Sequence, residues 1–229
     1  MLYAIAAIGL ILLIYAPNLW VRYTLKRYSR AINEMPGTGG ELATHLVKRF
    51  GLEGVKVETT EPMKDHFHPG DNAVRLSPDI FNGKSLTAVA VAAHEVGHAI
   101  QFNREEPVSQ LRGRYLNKAY MIQRVGAGIL MLIPVITIIF RVPHAALLTA
   151  AIGIITMLAS VLMYVAILPE EFDASFNKAL PILVEGEYID ESQIKSVRRI
   201  LKACAYTYVA AALADILRLW RWLAIMRYR

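Results

Sequence analysis

The sequence predicts an α-rich α+β integral membrane protein: a HExxH helix packed on a small β-sheet, with an N-terminal anchor helix and a transmembrane helical hairpin. Three observations predict it. Long uncharged apolar runs occupy residues 2–20, 125–140 and 145–168, and short alternating stretches at 55–59 and 72–77 have the period of strands. Between them, "HEVGH" (His94 to His98) sits in an alanine-rich run of helical character. The apolar excess is global as well as local. Hydrophobic residues make up 55% of the 229, and the mean hydropathy is +0.37, more apolar than soluble domains usually are.

Leu2 to Trp20 carries no charge and matches the length that spans a hydrocarbon core. No basic start precedes it and no small-residue cleavage site follows it, so it reads as an uncleaved anchor. Arg22, Lys26, Arg27 and Arg30 come next with no acid among them. The positive-inside rule then places the N-terminus outside and the following residues in the cytoplasm.

Residues 36–54, "PGTGGELATHLVKRFGLEG", open with a Thr38–Glu41 capping box and end at Gly51, which predicts a short amphipathic helix with His45 on its surface. "VKVET" (Val55 to Thr59) alternates as a half-buried strand does, and "NAVRLS" (Asn72 to Ser77) is a second strand, with turn chemistry in "HPGDN". Ser85 then caps a helix running to Asn103.

Val125 to Phe140 and Ala145 to Leu168 form a hairpin joined by "RVPH". The first arm reaches spanning length when Arg141 snorkels. Arg112, Arg114, Lys118 and Arg124 precede the hairpin and agree with a cytoplasmic side there. The chain returns inside near Pro169. From Asp190, which with Gln193 forms another capping pattern, a helical stretch runs on. Its end is expected to lie at the membrane surface, where Trp220 and Trp222 suit the interface.

The net charge of +6 raises nucleic acid as a partner. The Lys and Arg flank apolar runs instead of marking a recognition motif, so no nucleic-acid partner is expected. Cys204 is the sole cysteine, which excludes an intrachain disulfide and a cysteine-based zinc site.

On a helix His94 and His98 share one face a turn apart, so both imidazoles can reach one zinc ion. Glu95 points beside the ion, where a carboxylate can take a proton from water. Gly97 keeps the helix thin where substrate or another helix comes close. Burying two histidines and a glutamate in so apolar a helix is costly without partners, which favours a metal over a polar surface patch. A third ligand is needed, and "LPEEFDAS" (Leu168 to Ser175) supplies Glu170, Glu171 and Asp173. Glu171 is the choice among them, with Asp173, Glu170 and more remotely Asp215 as alternatives. Two crossings separate His98 from this segment, which brings both to one side of the bilayer. In "KDHFHP", His66 is a candidate oxyanion donor or further ligand, and His68 a turn residue. Tyr206 or Tyr208 could steady an oxyanion. Asn72, Ala73, Val74 and Arg75 are expected to offer an edge strand to an extended peptide.

Taken in order, "DHFHP", "VRLS", "NGKS", "AAHEVGHAIQ", "LPEEFDAS" and "AYTYVAAAL" resemble the YugP-like membrane zinc metallopeptidases of bacteria and archaea over almost the whole length. A more distant similarity is to the gluzincin membrane proteases of the CAAX-protease and HtpX kind. The resemblance implies one catalytic Zn2+, His94, His98 and Glu171 as ligands, and Glu95 as catalytic base. The distant relatives carry an aspartate four residues after the ligand glutamate. Ser175 stands there in this chain, so the support behind the ligands is expected to be built differently, with Asp173 the candidate.

The expected organisation is an anchor (1–22), the first part of a cytoplasmic zinc-protease domain (23–123), a transmembrane hairpin (124–168) and a C-terminal helical part completing the site (169–229). The expected function is zinc-dependent endopeptidase activity at the cytoplasmic face of a prokaryotic cell membrane. Expected partners are a protein or peptide substrate and the lipid bilayer, with a homo-oligomer or a regulatory membrane partner left open. Two readings compete. A zinc-binding membrane scaffold would close the fourth metal position with protein, for which His66 is available. An intramembrane site-2-type protease would need HExxH inside a spanning helix, yet Lys84, Glu95 and Arg104 leave too little apolar length.

Overall fold

The computed structural model describes residues 2–140 and 143–213. Asp215, Arg218, Trp220, Arg221 and Trp222 lie outside the described residues. By its internal contacts the chain divides into two units, one of residues 20–110 and 168–206, the other of residues 1–19, 111–167 and 207–229.

The first of these holds the sheet and the HExxH helix. After α1 (Leu2–Arg27), α2 (Gly39–Arg49) begins at the expected cap. The Thr38 N–H donates to Glu41 Oε2 at 2.7 Å and the Glu41 N–H to Thr38 Oγ1 at 3.2 Å. Gly51, at φ +60°, lies just beyond the other end, a conformation glycine adopts without Cβ strain. Three strands follow: β1 (Lys56–Thr59), β2 (His66–His68) and β3 (Ala73–Leu76). Their order is β1-β3-β2, with β3 parallel to β1 and antiparallel to β2. β2 ends at His68, and residues 69–72 form the turn expected of "HPGDN", while the strand before it is unexpected. Three residues are too few to show a period.

A short α3 (Pro78–Phe81) leads to α4 (Leu86–Asn103), whose N-cap Ser85 accepts the Ala88 N–H at 3.1 Å. Every α4 residue from Leu86 to Gln101 is buried. Such all-round burial explains why the helix lacks a polar face. It packs against α2, the sheet, and the segments that return after residue 168.

The other unit is helical. α5 (Gln110–Met131) starts well before residue 124, and a break at Leu132 separates it from α6 (Ile133–Phe140). α7 (Pro143–Phe172) is the long apolar helix. Residues 107–136 and 147–185 are each long and apolar enough to cross a membrane. Side chains such as Ile138, Leu147, Ile155 and Leu162 stay exposed. α5 and α7 touch through small residues. A Cβ on Gly126 would stand 2.8 Å from Met157 Cγ and 3.1 Å from the Gly153 carbonyl, so only hydrogen fits there.

Past Phe172 the helix widens to a π-helical segment, Asp173–Ala179, before α8 (Leu180–Glu185). The Leu180 N–H bonds five residues back to Ser175. Pro181 has no N–H and its ring crowds the carbonyl four residues earlier, a clash the wider register relieves. α9 (Ile194–Ala205), preceded by the expected Asp190–Gln193 capping box, closes this core with Val197, Ile200 and Leu201 fully buried.

Candidate metal centre

The middle of α4 and the end of α7 meet at one buried cluster. His94 Nε2 lies 3.3 Å from His98 Nε2 and 3.4 Å from Glu171 Oε2, and the remaining edge, His98 Nε2 to Glu171 Oε2, is 3.3 Å. Among the described residues, these three form the group of histidine, cysteine or carboxylate side chains that could hold a metal ion. Tetrahedral bonds of about 2.0–2.1 Å place ligand atoms about 3.3–3.4 Å apart, so the triangle has the size zinc needs.

Hydrogen bonding behind the ring settles which nitrogens face the triangle. Ser175 Oγ lies 3.1 Å from the Leu201 carbonyl, which can only accept, so the hydroxyl donates there. It therefore accepts from His94 Nδ1, 3.0 Å away, and His94 Nε2 carries a lone pair. For His98, Nδ1 lies 2.9 Å from Gln101 Oε1, the same arrangement. Two lone pairs and a carboxylate oxygen converge where Glu171 is only 1% exposed. A cation relieves that repulsion, and its absence would leave a buried charge badly compensated. The donor set fits zinc.

Gly97 makes the approach possible. A Cβ there would stand 2.7 Å from the Ala174 carbonyl, so α4 and the π-helical segment touch backbone to backbone. Glu95 is also buried and points to the sheet, where its Oε2 accepts the Phe67 N–H at 2.9 Å.

Of the alternative ligands, Glu170 presents Oε1 4.0 Å from His98 Nδ1, behind the ring. Asp173 stands one step further back, accepting from Gln101 Nε2 at 2.8 Å. Asp173 therefore meets His98 through Gln101.

The edge-strand expectation does not match the geometry, and His66 and Tyr208 have surroundings of their own. His66 is not in the cluster. Its Nδ1 lies 2.7 Å from the Lys64 carbonyl, and alternation along β2 sends its ring to the face opposite Phe67, whose ring meets Phe102 of α4. His68, expected in the turn, is instead the last residue of β2, and its Nδ1 accepts the Asp71 N–H of the following turn at 3.1 Å. Tyr208 belongs to the other unit, where it stacks on Tyr164 with Arg112 over its ring. Tyr206 sets its edge against Phe172. The edge-strand expectation for Asn72, Ala73, Val74 and Arg75 is also corrected: Ala73–Leu76 is the central strand, paired on both sides. Asn72 is a turn residue at φ +48°, and Arg75 is held by Glu58 at 3.2 Å and Asp71 at 2.6 Å. Strand order is set by non-local pairing, which alternation along one strand does not reveal.

Three contributors were not singled out from the sequence. Gln101, three residues past His98 and so on its face, could have been found from that spacing. The Phe67 main-chain donor had no sequence signal. Asp65 anchors the start of β2 by accepting the Ser77 N–H at 2.6 Å; burial, the largest influence, holds its carboxyl above the ordinary range. Burial likewise pushes the Cys204 thiol well above its ordinary value, with Glu95, Asp65 and Glu171 adding to the effect, so it stays protonated and is a core residue.

Residues 3–227 match a family model described as "Putative neutral zinc metallopeptidase". The chain is 32% identical over 226 residues to "Putative membrane protease YugP" of Bacillus subtilis (strain 168), covering 96% of this chain and 93% of the relative. No solved structure matches.

Proposed function

The chain belongs to the neutral zinc metallopeptidase family whose model it matches, and from that premise we propose a membrane-anchored, gluzincin-like endopeptidase with its site on the cytoplasmic face. The observation that carries the reading is the buried triangle of His94, His98 and Glu171, with sides of 3.3–3.4 Å.

His94, His98 and Glu171 hold the metal, and Glu95 is the base. Bound zinc supplies a Lewis acid that polarises the scissile carbonyl and brings water to a nucleophilic state near neutral pH. Glu95 takes the proton from the attacking water and passes it to the leaving amine. Its carboxylate is directed by the main chain at Phe67. That N–H points away from β3, and the carbonyl of the same residue points the same way, so the outer rim of β2 runs beside Glu95. We place an extended peptide substrate along this rim.

Membrane anchoring is supported by the two long apolar helical stretches, by the exposed Ile138, Leu147, Ile155 and Leu162, and by the name of the Bacillus relative. The basic run Arg22, Lys26, Arg27 and Arg30 supports the cytoplasmic orientation in a prokaryotic cell membrane.

The test is Glu95→Gln in the full-length protein purified in detergent. The variant is expected to bind one zinc per chain as the parent does and to lose cleavage of a fluorogenic peptide library. Hydrolysis at the parental rate by this variant would overturn the mechanism.

A further inference from the structure

Building on the zinc site just proposed, we infer that Gln101 is a positioning residue that fixes the tautomer of His98, and that Asp173 acts on the ligand set only through Gln101.

Gln101 is wholly buried, so each atom of its amide must find a partner inside the protein. Nε2 lies 3.0 Å from the Glu170 carbonyl and 2.8 Å from Asp173 Oδ2. Both neighbours only accept, and together they use both amide protons. Rotating the amide by half a turn would set its oxygen against a carbonyl and a carboxylate. The orientation is therefore imposed, and Oε1 is left facing His98 Nδ1 at 2.9 Å. An acceptor there requires the proton on Nδ1, which turns the bare Nε2 towards His94 and Glu171.

Asp173 is fixed in turn. Its Oδ1 accepts from Asn177 Nδ2 at 2.7 Å, and Lys178 Nζ lies 3.2 Å from Oδ2 and 3.0 Å from Glu106. A continuous line of polar contacts thus runs from just beyond α4, through Lys178, Asp173 and Gln101, to His98. The amide of Gln101 bonds both the aspartate and the ring, and so links them. His94 is served differently, by the Ser175 hydroxyl, whose direction the Leu201 carbonyl sets. Each histidine thus turns Nδ1 to an uncharged hydrogen-bond partner, Ser175 for His94 and Gln101 for His98, with the Glu170 carboxylate 4.0 Å from His98 Nδ1.

The experiment measures zinc affinity by chelator competition on metal-free, full-length protein in detergent, with the thermal midpoint of each metal-free form recorded alongside. The set is the parent, Gln101→Ala, Gln101→Glu, Asp173→Ala and the double alanine variant. Gln101→Ala is expected to weaken zinc binding about 10–100-fold. Gln101→Glu keeps an acceptor opposite His98 Nδ1 and should recover most of that affinity. It should also lower the metal-free midpoint, because it sets a carboxylate against Asp173. Asp173→Ala should weaken binding several-fold in the parent and add nothing in the Gln101→Ala background. Parental affinity in Gln101→Ala, or no recovery in Gln101→Glu, would overturn the role of Gln101. An equal effect of Asp173→Ala in both backgrounds would overturn its action through the amide. A parent that takes up no stoichiometric zinc would instead overturn the metal reading beneath both.

Discussion

Gly97 of the HExxH helix and Ala174 of the π-helical segment are in main-chain contact, so close that a Cβ on Gly97 would stand 2.7 Å from the Ala174 carbonyl. That contact sets the distance between the helix bearing His94 and His98 and the segment that follows Glu171. Gly97→Ala gains about 1 kcal/mol of helix propensity. It also forces two backbones apart, and overpacking of this kind costs about 1–3 kcal/mol. Chemical denaturation should show a net loss of stability, and zinc affinity should fall as the triangle opens.

Glu171→Gln separates the cost of the site from its benefit. Without metal, a neutral amide at this buried position is easier to accommodate than a charge facing two lone pairs. The metal-free thermal midpoint is expected to stay level or rise. Zinc present at about 100 times its Kd stabilises the parent by about 2.7 kcal/mol, and this gain should disappear in the variant. Thermal melts with and without zinc check both halves.

Asp65 predicts a pH dependence. Its carboxyl is raised in the folded state, chiefly by burial, so the fold binds the proton more tightly than the unfolded chain does. Its contribution to stability is therefore fully present below the unfolded pKa of about 3.9 and is lost as pH rises through the folded value. Asp65→Asn keeps an acceptor for the Ser77 N–H and removes the ionisation. Its denaturation midpoint, relative to the parent, should improve steadily as the pH is raised from the unfolded pKa.

Gly126 and Gly128 form a matched pair on α5. A side chain at Gly126 would meet Met157 and the Gly153 carbonyl, whereas nothing lies within 4 Å of one at Gly128. Gly126→Leu should cost at least about 1–3 kcal/mol of stability in detergent. Gly128→Leu should cost little. Equal melting temperatures for the two would show that the contact between α5 and α7 is not close.

Local signals carried much of this fold. The caps at Thr38, Ser85 and Asp190 marked the starts of helical segments because a cap is built within four residues. The histidine pair was legible because helix geometry alone aligns His94 with His98. Glu171 had to be chosen from three neighbouring acids, and the structure brings it to the triangle while Glu170 and Asp173 sit behind His98 and Gln101. Successive helical residues differ by about 100° in direction, so only one of the three can face the imidazoles. What could not be read depended on distant partners: the central place of β3, the existence of β2, and Phe67's main-chain hold on Glu95. Tyr208 was singled out for its residue type, and its neighbours, Tyr164 and Arg112, came from elsewhere in the chain.

The π-helical segment also works as a phase shifter. Its wider turns fit more residues into the same length, so the side chains before and after it are rotated out of step with an ordinary helix. The seven residues of this segment turn the chain about as far as six residues of an ordinary helix do, roughly 600°. Trimming one residue between 173 and 179 would therefore restore regular winding while Leu180 and Leu183 kept facing the interior. The cost would fall on Pro181, whose ring would then meet the carbonyl four residues earlier.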